Sequence, residues 1–426
     1  MSEPLGQSQV LPYLRGLGRD HGWRFRVVGF EPWEVSDARL RSLTDELRGD
    51  GIAYSWSRRS RSHTLPTKFA EAGGALARVI ALGLRRPPDI IHARGYLPAA
   101  VGLALGAAFP RAKVIFDCRG LLADEYVDAG HWVAGSLPFR LVKATERVLF
   151  RRADAVVTLT ERLRSWLRGH ARLLPSATPT EVIPCCVDLA RFRSSPRVRR
   201  ESRESIGAGD KLVIAYSGSL GSWYREADMA RLFAAIRRLA PAVLLLLTRS
   251  PPGLLLDELA RAGVPATDVR LRVVEPADMP ALLSAADAGI SLIRSCFSKI
   301  ASSPTKIAEY LAMGLPVVMN TDIGDGARLV GLSDAVVDVG SSSTSECERA
   351  ASEIVRVIAT AGIAERARRL AEELFSVETI GVVRYARLYA RLGRPEERTS
   401  PSGRPSRRRR EWSGASCAGD AARPPP

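Results

Sequence analysis

Several features that define other protein classes are missing from this 426-residue sequence. No apolar run approaches the roughly 18 residues that a membrane-spanning helix needs. The six cysteines show neither Cys-x-x-Cys nor Cys/His spacing, which argues against a zinc motif and fits a reduced compartment. Residues 1–10 lack the charged start and apolar core of a secretory signal. We therefore expect a cytoplasmic protein without a spanning segment.

Acidic residues are scarce relative to basic ones. The chain has 62 Lys and Arg against 46 Asp and Glu, a formal net charge of +16. This charge either attracts an anionic surface, such as membrane phospholipid or a lipid diphosphate, or reflects solvated arginine-rich faces. No basic motif interleaved with aromatic residues supports nucleic-acid binding. We expect no nucleic-acid partner and a weak contact with the inner face of an anionic membrane.

Strand and helix patterns alternate through most of the chain. Short apolar runs predict the following strands: Phe25–Phe30, Ile90–His92, Lys113–Phe116, Ala155–Leu159, Glu181–Pro184, Leu212–Tyr216, Val243–Leu247, Val269–Val274, Ala288–Leu292 and Val317–Met319. Amphipathic segments between them predict helices. This alternation predicts an α/β protein with parallel sheets covered on both faces.

A polar, basic stretch at 191–210 divides the alternating pattern into two halves. We expect two doubly wound Rossmann-like domains facing a cleft, with ligands at the carboxyl ends of the strands. The predicted organisation is a first domain at 1–190, a linker at 191–210, a second domain at 211–375, a helix at 376–393 and a disordered basic tail at 394–426.

The stretch from Ser302 to Asp325 is the most informative part of the sequence. Ser302 or Ser303 can cap a helix whose first turn contains Pro304, and Gly314 can end that helix. A helix start attracts anions through free backbone N–H groups and a partial positive charge. An anion site is therefore predicted at the start of this helix.

Two charged residues in this helix extend the prediction. Lys306 adds a positive charge beside the helix start, and Glu309 follows three residues later on the same side. A diphosphate could rest at the helix start while Glu309 accepts hydrogen bonds from a pair of sugar hydroxyls. The alternative is an exposed ion pair between the two side chains.

This stretch resembles the nucleotide-sugar site of GT-B glycosyltransferases, in particular the retaining family 4 type. Further stretches resemble the same family in its order and spacing: Glu3–Leu14, Asp89–Tyr96, Ile115–Glu125 and Val213–Gly221. The resemblance implies transfer of a sugar from a nucleotide-sugar donor to a lipid-linked or glycan acceptor, with retention, in surface-polysaccharide biosynthesis. It implies no metal and no other cofactor, and it implies no protein nucleophile. No Asp-x-Asp motif is present.

The resemblance also implies roles for individual residues. Donor contacts are expected at Gly6, Gly218, Lys306, Glu309, Gly324 and Asp325. Contacts with the acceptor are expected at Arg94, Arg119 and Asp124. The catalytic candidates are Asp117 and His92, although Asp117 could instead pair with Arg119 and His92 could be structural. Gly221, in the same loop as Gly218, is a further candidate for holding phosphate, as are Arg225 and Arg249, although these two arginines belong to no motif of the family.

Two departures from the family pattern leave rival interpretations open. The family commonly has two glutamates separated by seven residues, and Ala301 stands at the position of the first. The family also begins with a central strand, whereas only Met1 and Ser2 precede the first loop, so either the start lies upstream or the first sheet lacks that strand. These departures are the best arguments for a rival, an inactive scaffold that binds sugar nucleotide or membrane, but we do not interpret Ala301 as a sign of inactivation. A nucleotide-sugar epimerase is a weaker alternative because it needs more acids and histidines in the cleft.

Overall fold

The computed structural model describes residues 1–59 and 65–393, so the predicted tail at 394–426 lies outside the described residues. The strands are β1 (Phe25–Glu31), β2 (Ile52–Arg58), β3 (Ile90–Arg94), β4 (Lys113–Asp117), β5 (Ala155–Thr158), β6 (Thr180–Val182), β7 (Leu212–Ser217), β8 (Ala242–Leu247), β9 (Val269–Arg272), β10 (Ala288–Ser291), β11 (Val317–Met319) and β12 (Val336–Asp338).

Helices connect these strands in both halves of the chain. The first half contains α1 (Pro4–Gln9), α2 (Leu11–His21), α3 (Asp37–Gly49), α4 (Leu65–Arg85), α5 (Tyr96–Ala108), α6 (Leu122–Asp128), α7 (Leu137–Arg152) and α8 (Glu161–Arg168). The second half contains α9 (Pro196–Ser205), α10 (Glu226–Leu239), α11 (Gly253–Arg261), α12 (Met279–Leu283), α13 (Thr305–Ala312), α14 (Gly326–Leu332), α15 (Thr344–Ile358), α16 (Ile363–Phe375) and α17 (Val383–Leu392).

The second lobe, formed by β7–β12 and α9–α16, is built on a six-stranded parallel sheet. Its strand order is β12-β11-β10-β7-β8-β9, so the chain starts in the middle of the sheet and winds outwards in both directions. β8 and β10 are buried along their whole length because helices cover both faces. Residues 191–210, expected to be a linker, contain α9, and Phe192 and Ile206 on either side of this helix pack into the core of the lobe.

The first lobe, formed by β1–β6 and α1–α8, contains two separate parallel sheets. Within the described residues, β1 pairs only with β2, while β3, β4, β5 and β6 form a four-stranded sheet in that order. β1 and β3, which are edge strands of their sheets, are mostly half-buried, whereas β5 is fully buried. The split agrees with the expectation that the first sheet lacks a central strand.

The two lobes meet along the carboxyl ends of their strands. The 3₁₀ turn Phe297–Ala301, which follows β10, inserts Ile300 and Ala301 into the apolar core of the first lobe beside Phe116 and Leu163. At the end of the chain, one π-helical turn leads into α17, which packs against the first lobe. The second lobe therefore contributes part of the first lobe's core.

The strands predicted from the sequence are all present, with ends that differ by at most two residues. The sequence did not predict β2 or β12. β2 alternates small polar and aromatic residues, and β12 has three residues, so neither produces a strong local signal. The predicted cap of α13 was wrong: Pro304 itself occupies the N-cap position, and no side chain caps the helix.

The seating of α13 on the sheet provides a test of the fold. A Cβ atom added at Gly289 of β10 would lie 2.2 Å from the Tyr310 ring, which packs across that strand. We expect Gly289→Ala to destabilise the protein by about 1–3 kcal/mol through overpacking. The measurement is the urea-unfolding midpoint followed by tryptophan fluorescence.

The matched control is Gly331→Ala in α14, where an added Cβ meets no atom within 4 Å. It should be neutral or stabilising by up to about 1 kcal/mol, because alanine favours a helix more than glycine does. Equal midpoints for the two variants would show that the Tyr310 ring is free to move away from β10.

Candidate functional site

The site predicted from the sequence lies at the start of α13, where the second lobe faces the first. Because no side chain caps this helix, its first backbone N–H groups are not engaged by a capping oxygen. Ser303, which was expected as a cap, instead accepts a hydrogen bond of 3.1 Å from the Cys185 N–H of the first lobe. The helix start is thus positioned by both lobes.

Lys306 lies in the first turn of α13 and is buried. Its Nζ has no hydrogen-bond partner. It lies 4.0 Å from the ring centroid of Tyr216 and 4.6 Å from that of Tyr224, so cation–π attraction replaces part of its lost hydration. Burial lowers the pKa of Lys306 to about 7, and the nearby Glu309 opposes this shift. An anion entering here would supply the missing partner.

Glu309 follows one turn after Lys306 and is half-buried. Burial raises its pKa to about 7, while the positive charges of Lys306 and Arg191 act in the opposite direction. Arg191, which comes from the segment between the lobes, is fixed by donating a hydrogen bond to the Pro276 carbonyl oxygen. Lys306 is thus buried without a hydrogen-bond partner and Glu309 is half-buried, which contradicts the alternative of an exposed ion pair between them.

The glycine-rich loop after β7 passes over this lysine. Gly218 has φ +110°, and a Cβ there would lie 3.3 Å from Lys306 Nζ, so only glycine lets the loop approach the ammonium without strain. The amide of Gly221 donates to Glu226 Oε1 at 2.7 Å, and that of Gly218 donates to the Leu247 carbonyl at 2.9 Å. Because both amides already donate hydrogen bonds within the protein, they are not free to bind a phosphate. The main contribution of the loop is therefore the space that it leaves around Lys306.

Arg225 and Arg249 flank the same loop but are held by acids. Arg225 Nε pairs with Asp228, while one of its terminal nitrogens is buried without a hydrogen-bond partner. Arg249 pairs with Glu275 at 2.6 Å, and both side chains are exposed. Arg225 is thus the better placed of the two to reach a bound anion.

Gly324 and Asp325 lie at the junction of the lobes. The Asp325 carboxylate accepts hydrogen bonds from the backbone N–H groups of Glu161 at 2.8 Å and Arg162 at 3.0 Å, so it caps α8 of the first lobe. A Cβ at Gly324 would lie 2.0 Å from the Ser302 carbonyl oxygen. Asp325 therefore joins the lobes, and Gly324 leaves room for the Ser302 carbonyl. The expected contact of both residues with the donor remains a prediction.

Gly6 lies within α1 at the amino end of the first lobe. A Cβ added there would lie 2.7 Å from the Cα and carbonyl oxygen of Met1, so Gly6 allows the chain start to fold against this helix. Its expected contact with the donor also remains a prediction.

The acceptor-side candidates of β3 and β4 converge on Asp117, which is fully buried. The Asp117 carboxylate lies 3.3 Å from Arg119 Nη1, 3.5 Å from Arg94 Nη1 and 3.4 Å from His92 Nε2. It also accepts a hydrogen bond of 3.0 Å from the Tyr385 hydroxyl of α17. The structure therefore brings four of the sequence candidates together, with Tyr385, which the sequence did not indicate, as a further partner; their expected roles remain predictions.

The electrostatics of this cluster favour a fixed negative charge. Burial alone would raise the pKa of Asp117, but Arg119, His92 and Arg94 together hold it well below its usual range. A carboxylate this acidic is a poor proton acceptor. His92 Nδ1 lies 2.5 Å from the Tyr389 hydroxyl, so the imidazole is oriented by two partners. The geometry supports a positioning role for Asp117, as in the alternative of an ion pair with Arg119.

Asp124 belongs to a different network, under α7. Its carboxylate lies 3.0 Å from Lys143 Nζ, which also pairs with the buried Glu146. The neighbouring Glu125 lies 3.7 Å from Lys299 Nζ of the second lobe, and that ammonium lies 3.6 Å from the Trp223 ring centroid. Acids of α6 thus connect the first lobe to the loops of the second.

Ala301 occupies the position of the missing first glutamate. It is buried in the apolar core that the first lobe shares with the turn before α13. A carboxylate there would be desolvated among apolar side chains, which is costly without a partner. The packing therefore explains why alanine is tolerated here.

Residues 6–186 match the glycosyl transferase 4-like domain. This match covers most of the first lobe, including Arg94, Asp117, Arg119 and Asp124. No curated protein matches the sequence.

Solved glycosyltransferase structures resemble the chain over both lobes. Anabaena HepE, solved with UDP and glucose, is 18% identical, with 92% of this chain and 97% of that chain covered and a TM-score of 0.66. A Rickettsia africae glycosyltransferase is 14% identical, with coverages of 87% and 98% and a TM-score of 0.63. WaaG, involved in lipopolysaccharide biosynthesis, is 15% identical, with coverages of 84% and 98% and a TM-score of 0.60. This likeness establishes the GT-B fold.

The described residues of this GT-B chain were also compared with the requirements of a metal site and of a membrane-spanning helix. Within residues 1–59 and 65–393, no group of three or more His, Cys, Asp or Glu side chains is arranged to hold a metal ion. Over the same residues, no helix is both long and apolar enough to cross a membrane.

Sequence reasoning missed several residues of the GT-B cleft. Tyr216 and Tyr224 enclose Lys306 although they lie more than 80 positions away in the sequence. Arg191 and Lys299 were not singled out because neither belongs to a motif. Their proximity to the site depends on how the two lobes fold together, and no local pattern signals it.

The buried ammonium predicts a pH-dependent stability difference. Lys306 has a pKa of about 7 in the folded chain, against about 10.4 when unfolded. Between these values the unfolded chain binds more protons, so the wild-type protein gains stability as pH rises from 7 to 10. We expect Lys306→Met, without added nucleotide, to melt several degrees above wild type at pH 7. That advantage should shrink towards pH 10.

The measurement is the melting temperature by scanning fluorimetry across this pH range. Lys211→Met is the control for removing a lysine charge, because Lys211 is half-exposed and pairs with Asp268 at 3.1 Å. A Lys306→Met protein that melts at or below the wild-type temperature at pH 7 would contradict a net cost of burial.

Proposed function

We propose that this protein transfers a sugar from a nucleotide-sugar donor to a lipid-linked or glycan acceptor, with retention of configuration. The observation that carries the proposal is the buried Lys306 ammonium, which has no hydrogen-bond partner and lies at the uncapped start of α13. A diphosphate satisfies both features, since it accepts hydrogen bonds from the ammonium and from helix N–H groups. HepE, which shares the fold, was solved with UDP and glucose, and this supports a nucleotide-sugar donor.

The chemistry follows from charge. As the bond to the sugar breaks, negative charge develops on the leaving diphosphate, and Lys306 with the start of α13 stabilises it. Glu309 is one turn away, in position to accept hydrogen bonds from ribose hydroxyls. We propose that the reaction needs no metal ion, that the acceptor attacks from the face of the leaving group, and that the departing phosphate accepts the acceptor's proton.

The acceptor is proposed to bind on the first lobe. Arg94 and Arg119 lie at the carboxyl ends of β3 and β4, and both guanidinium groups are held by Asp117. The net charge of +16 supports an anionic or lipid-linked acceptor. WaaG, which shares the fold, acts in lipopolysaccharide biosynthesis. This likeness supports a role in surface-polysaccharide synthesis at the inner face of the cell membrane, with the protein in the cytoplasm.

A second candidate is an inactive scaffold that binds sugar nucleotide without transferring the sugar. The buried Ala301, in place of an acid, favours it. The two candidates share the donor site and differ only in turnover.

Nucleotide binding tests the donor site. Thermal shifts with a panel of nucleoside diphosphates should identify at least one that stabilises the protein. For that nucleotide, Lys306→Ala should weaken binding by about 1–3 kcal/mol, the scale of a hydrogen bond to a charged group. Lys211→Ala should leave the affinity unchanged. Equal affinities of Lys306→Ala and wild type would show that the nucleotide does not bind at the start of α13.

Turnover separates the enzyme from the scaffold. With the matching nucleotide sugar and a membrane extract as acceptor source, wild type should release nucleoside diphosphate. Glu309→Ala should lower kcat/KM about 10- to 100-fold, because a charged hydrogen-bond acceptor is lost. Its melting temperature should stay near wild type. The exposed Glu373→Ala is the control. Nucleotide binding without turnover by wild type, across donors and extracts, would favour the scaffold.

A further inference from the structure

The outer face of α7 exposes an apolar stripe. Leu137, Leu141 and Val148 are 70%, 54% and 52% exposed. At 100° per residue their side chains fall within an arc of about 40°, so they form one line along the helix. Val133, in the loop before the helix, is 77% exposed. Apolar residues aligned in this way mark an interaction surface more often than scattered ones do.

A row of arginines follows one edge of this stripe. Arg140, Arg147 and Arg151 occur at spacings of seven and four residues and are exposed. Among the described residues, neither Arg140 nor Arg147 has a carboxylate within 4.0 Å, the limit for an ion pair. Arg151 donates to the Arg172 carbonyl oxygen at 3.3 Å, which uses one nitrogen and leaves its charge unpaired.

The nearby acids do not neutralise this row. Glu146, the only acid within α7, is fully buried on the opposite face, where it accepts a hydrogen bond of 2.6 Å from the Tyr96 hydroxyl. Asp154, just after the helix, accepts hydrogen bonds from Lys113 Nζ and the Val114 N–H. The exposed face of α7 therefore combines apolar side chains with uncompensated positive charge.

We propose that this face of α7, with Val133, is a docking surface for an anionic phospholipid bilayer. A helix with an apolar stripe and arginines beside it lies in the membrane interface with the stripe in the acyl boundary and the guanidinium groups among the headgroups. A second copy of the chain is the rival occupant. A twofold contact of this face would bring two rows of unpaired arginines together, and like charges oppose such a contact.

The position of this surface relates it to the site. The Lys143 ammonium on the inner face of α7 pairs with Asp124 of α6. Asp128, at the end of α6, accepts a hydrogen bond of 2.9 Å from the Ser298 N–H, in the turn that precedes α13. One short helix thus separates the docking surface from the lobe junction. The value of this arrangement for a lipid-linked acceptor rests on the proposed function, whereas bilayer binding itself does not.

The test is sedimentation of the full chain with vesicles at low salt. The vesicles contain phosphatidylcholine alone or with about 30% phosphatidylglycerol, an anionic content that gives a negative surface potential. Wild type should bind the mixed vesicles and not the neutral ones. Arg140→Gln/Arg147→Gln should bind about 25-fold more weakly, at about five-fold per arginine. Leu137→Ser/Leu141→Ser should lose about ten-fold or more, because two apolar side chains no longer enter the bilayer.

Matched controls lie on the second lobe. Arg200→Gln/Arg369→Gln removes the same charge from exposed arginines, and Leu254→Ser removes a leucine that is 58% exposed. Both should bind the mixed vesicles as wild type does. Equal binding by the α7 variants and these controls would overturn the inference. Self-association would replace the inference under three conditions together. Light scattering would give wild type twice the mass of one chain, the α7 variants would have the mass of one chain, and wild type would not bind vesicles.

Thermal shifts with the panel of nucleoside diphosphates distinguish a failure of the docking surface from a failure of the proposed function. If the donor site is wrong, wild type loses the nucleotide-dependent thermal shift and still sediments with anionic vesicles. If the docking surface is wrong, the α7 variants sediment like wild type and still show the thermal shift. The shift also shows that each variant is folded.

Discussion

Burying an ammonium group that has no hydrogen-bond partner is expensive, because the protein must replace its hydration. The second lobe meets this cost at Lys306 with the faces of Tyr216 and Tyr224, and Gly218 leaves the space that the side chain needs. Lys306 is held in this position because Tyr310 anchors α13 to the sheet. The Tyr310 ring packs across β10, and its hydroxyl accepts a hydrogen bond of 2.7 Å from the Ser217 N–H. Unfavourable local states of this kind are found where a ligand offsets them. The whole candidate site is arranged around this one charge.

The start of the same helix is also where the lobes are joined. The Thr160 hydroxyl donates to the Ile300 carbonyl at 2.6 Å, the Cys185 N–H donates to Ser303, and Asp325 caps α8. Each contact pairs a strand end or helix start of the first lobe with the chain that surrounds α13. Any rotation of one lobe on the other must break these bonds and move the helix start. Under the proposed function, donor binding at α13 would therefore be coupled to closure of the lobes.

The first lobe also contains a buried charge with polar side chains arranged around it, in this case a negative one. Asp117 is buried and ionised, and it collects two arginines, a histidine and the Tyr385 hydroxyl. Because Tyr385 belongs to α17, the last helix is tied to the carboxyl end of β4. Burial by itself would raise the pKa of Asp117, but Arg119, His92 and Arg94 outweigh it and hold the pKa well below the usual range. It holds the guanidinium groups of Arg94 and Arg119 in place.

The sequence by itself determined the alternation of strands and helices, the two lobes and the placement of Lys306 and Glu309 on one side of a helix. These features depend on apolar periodicity and on residues three apart, which are local. Only the tertiary structure decided that Lys306 is buried against two tyrosines, that Ser303 faces the first lobe and that Ala301 packs into that lobe's core. Each of these depends on contacts between residues more than 80 positions apart, and their partners follow from how the lobes meet. The burial of a charge is a property of all its surroundings, so no short segment can specify it.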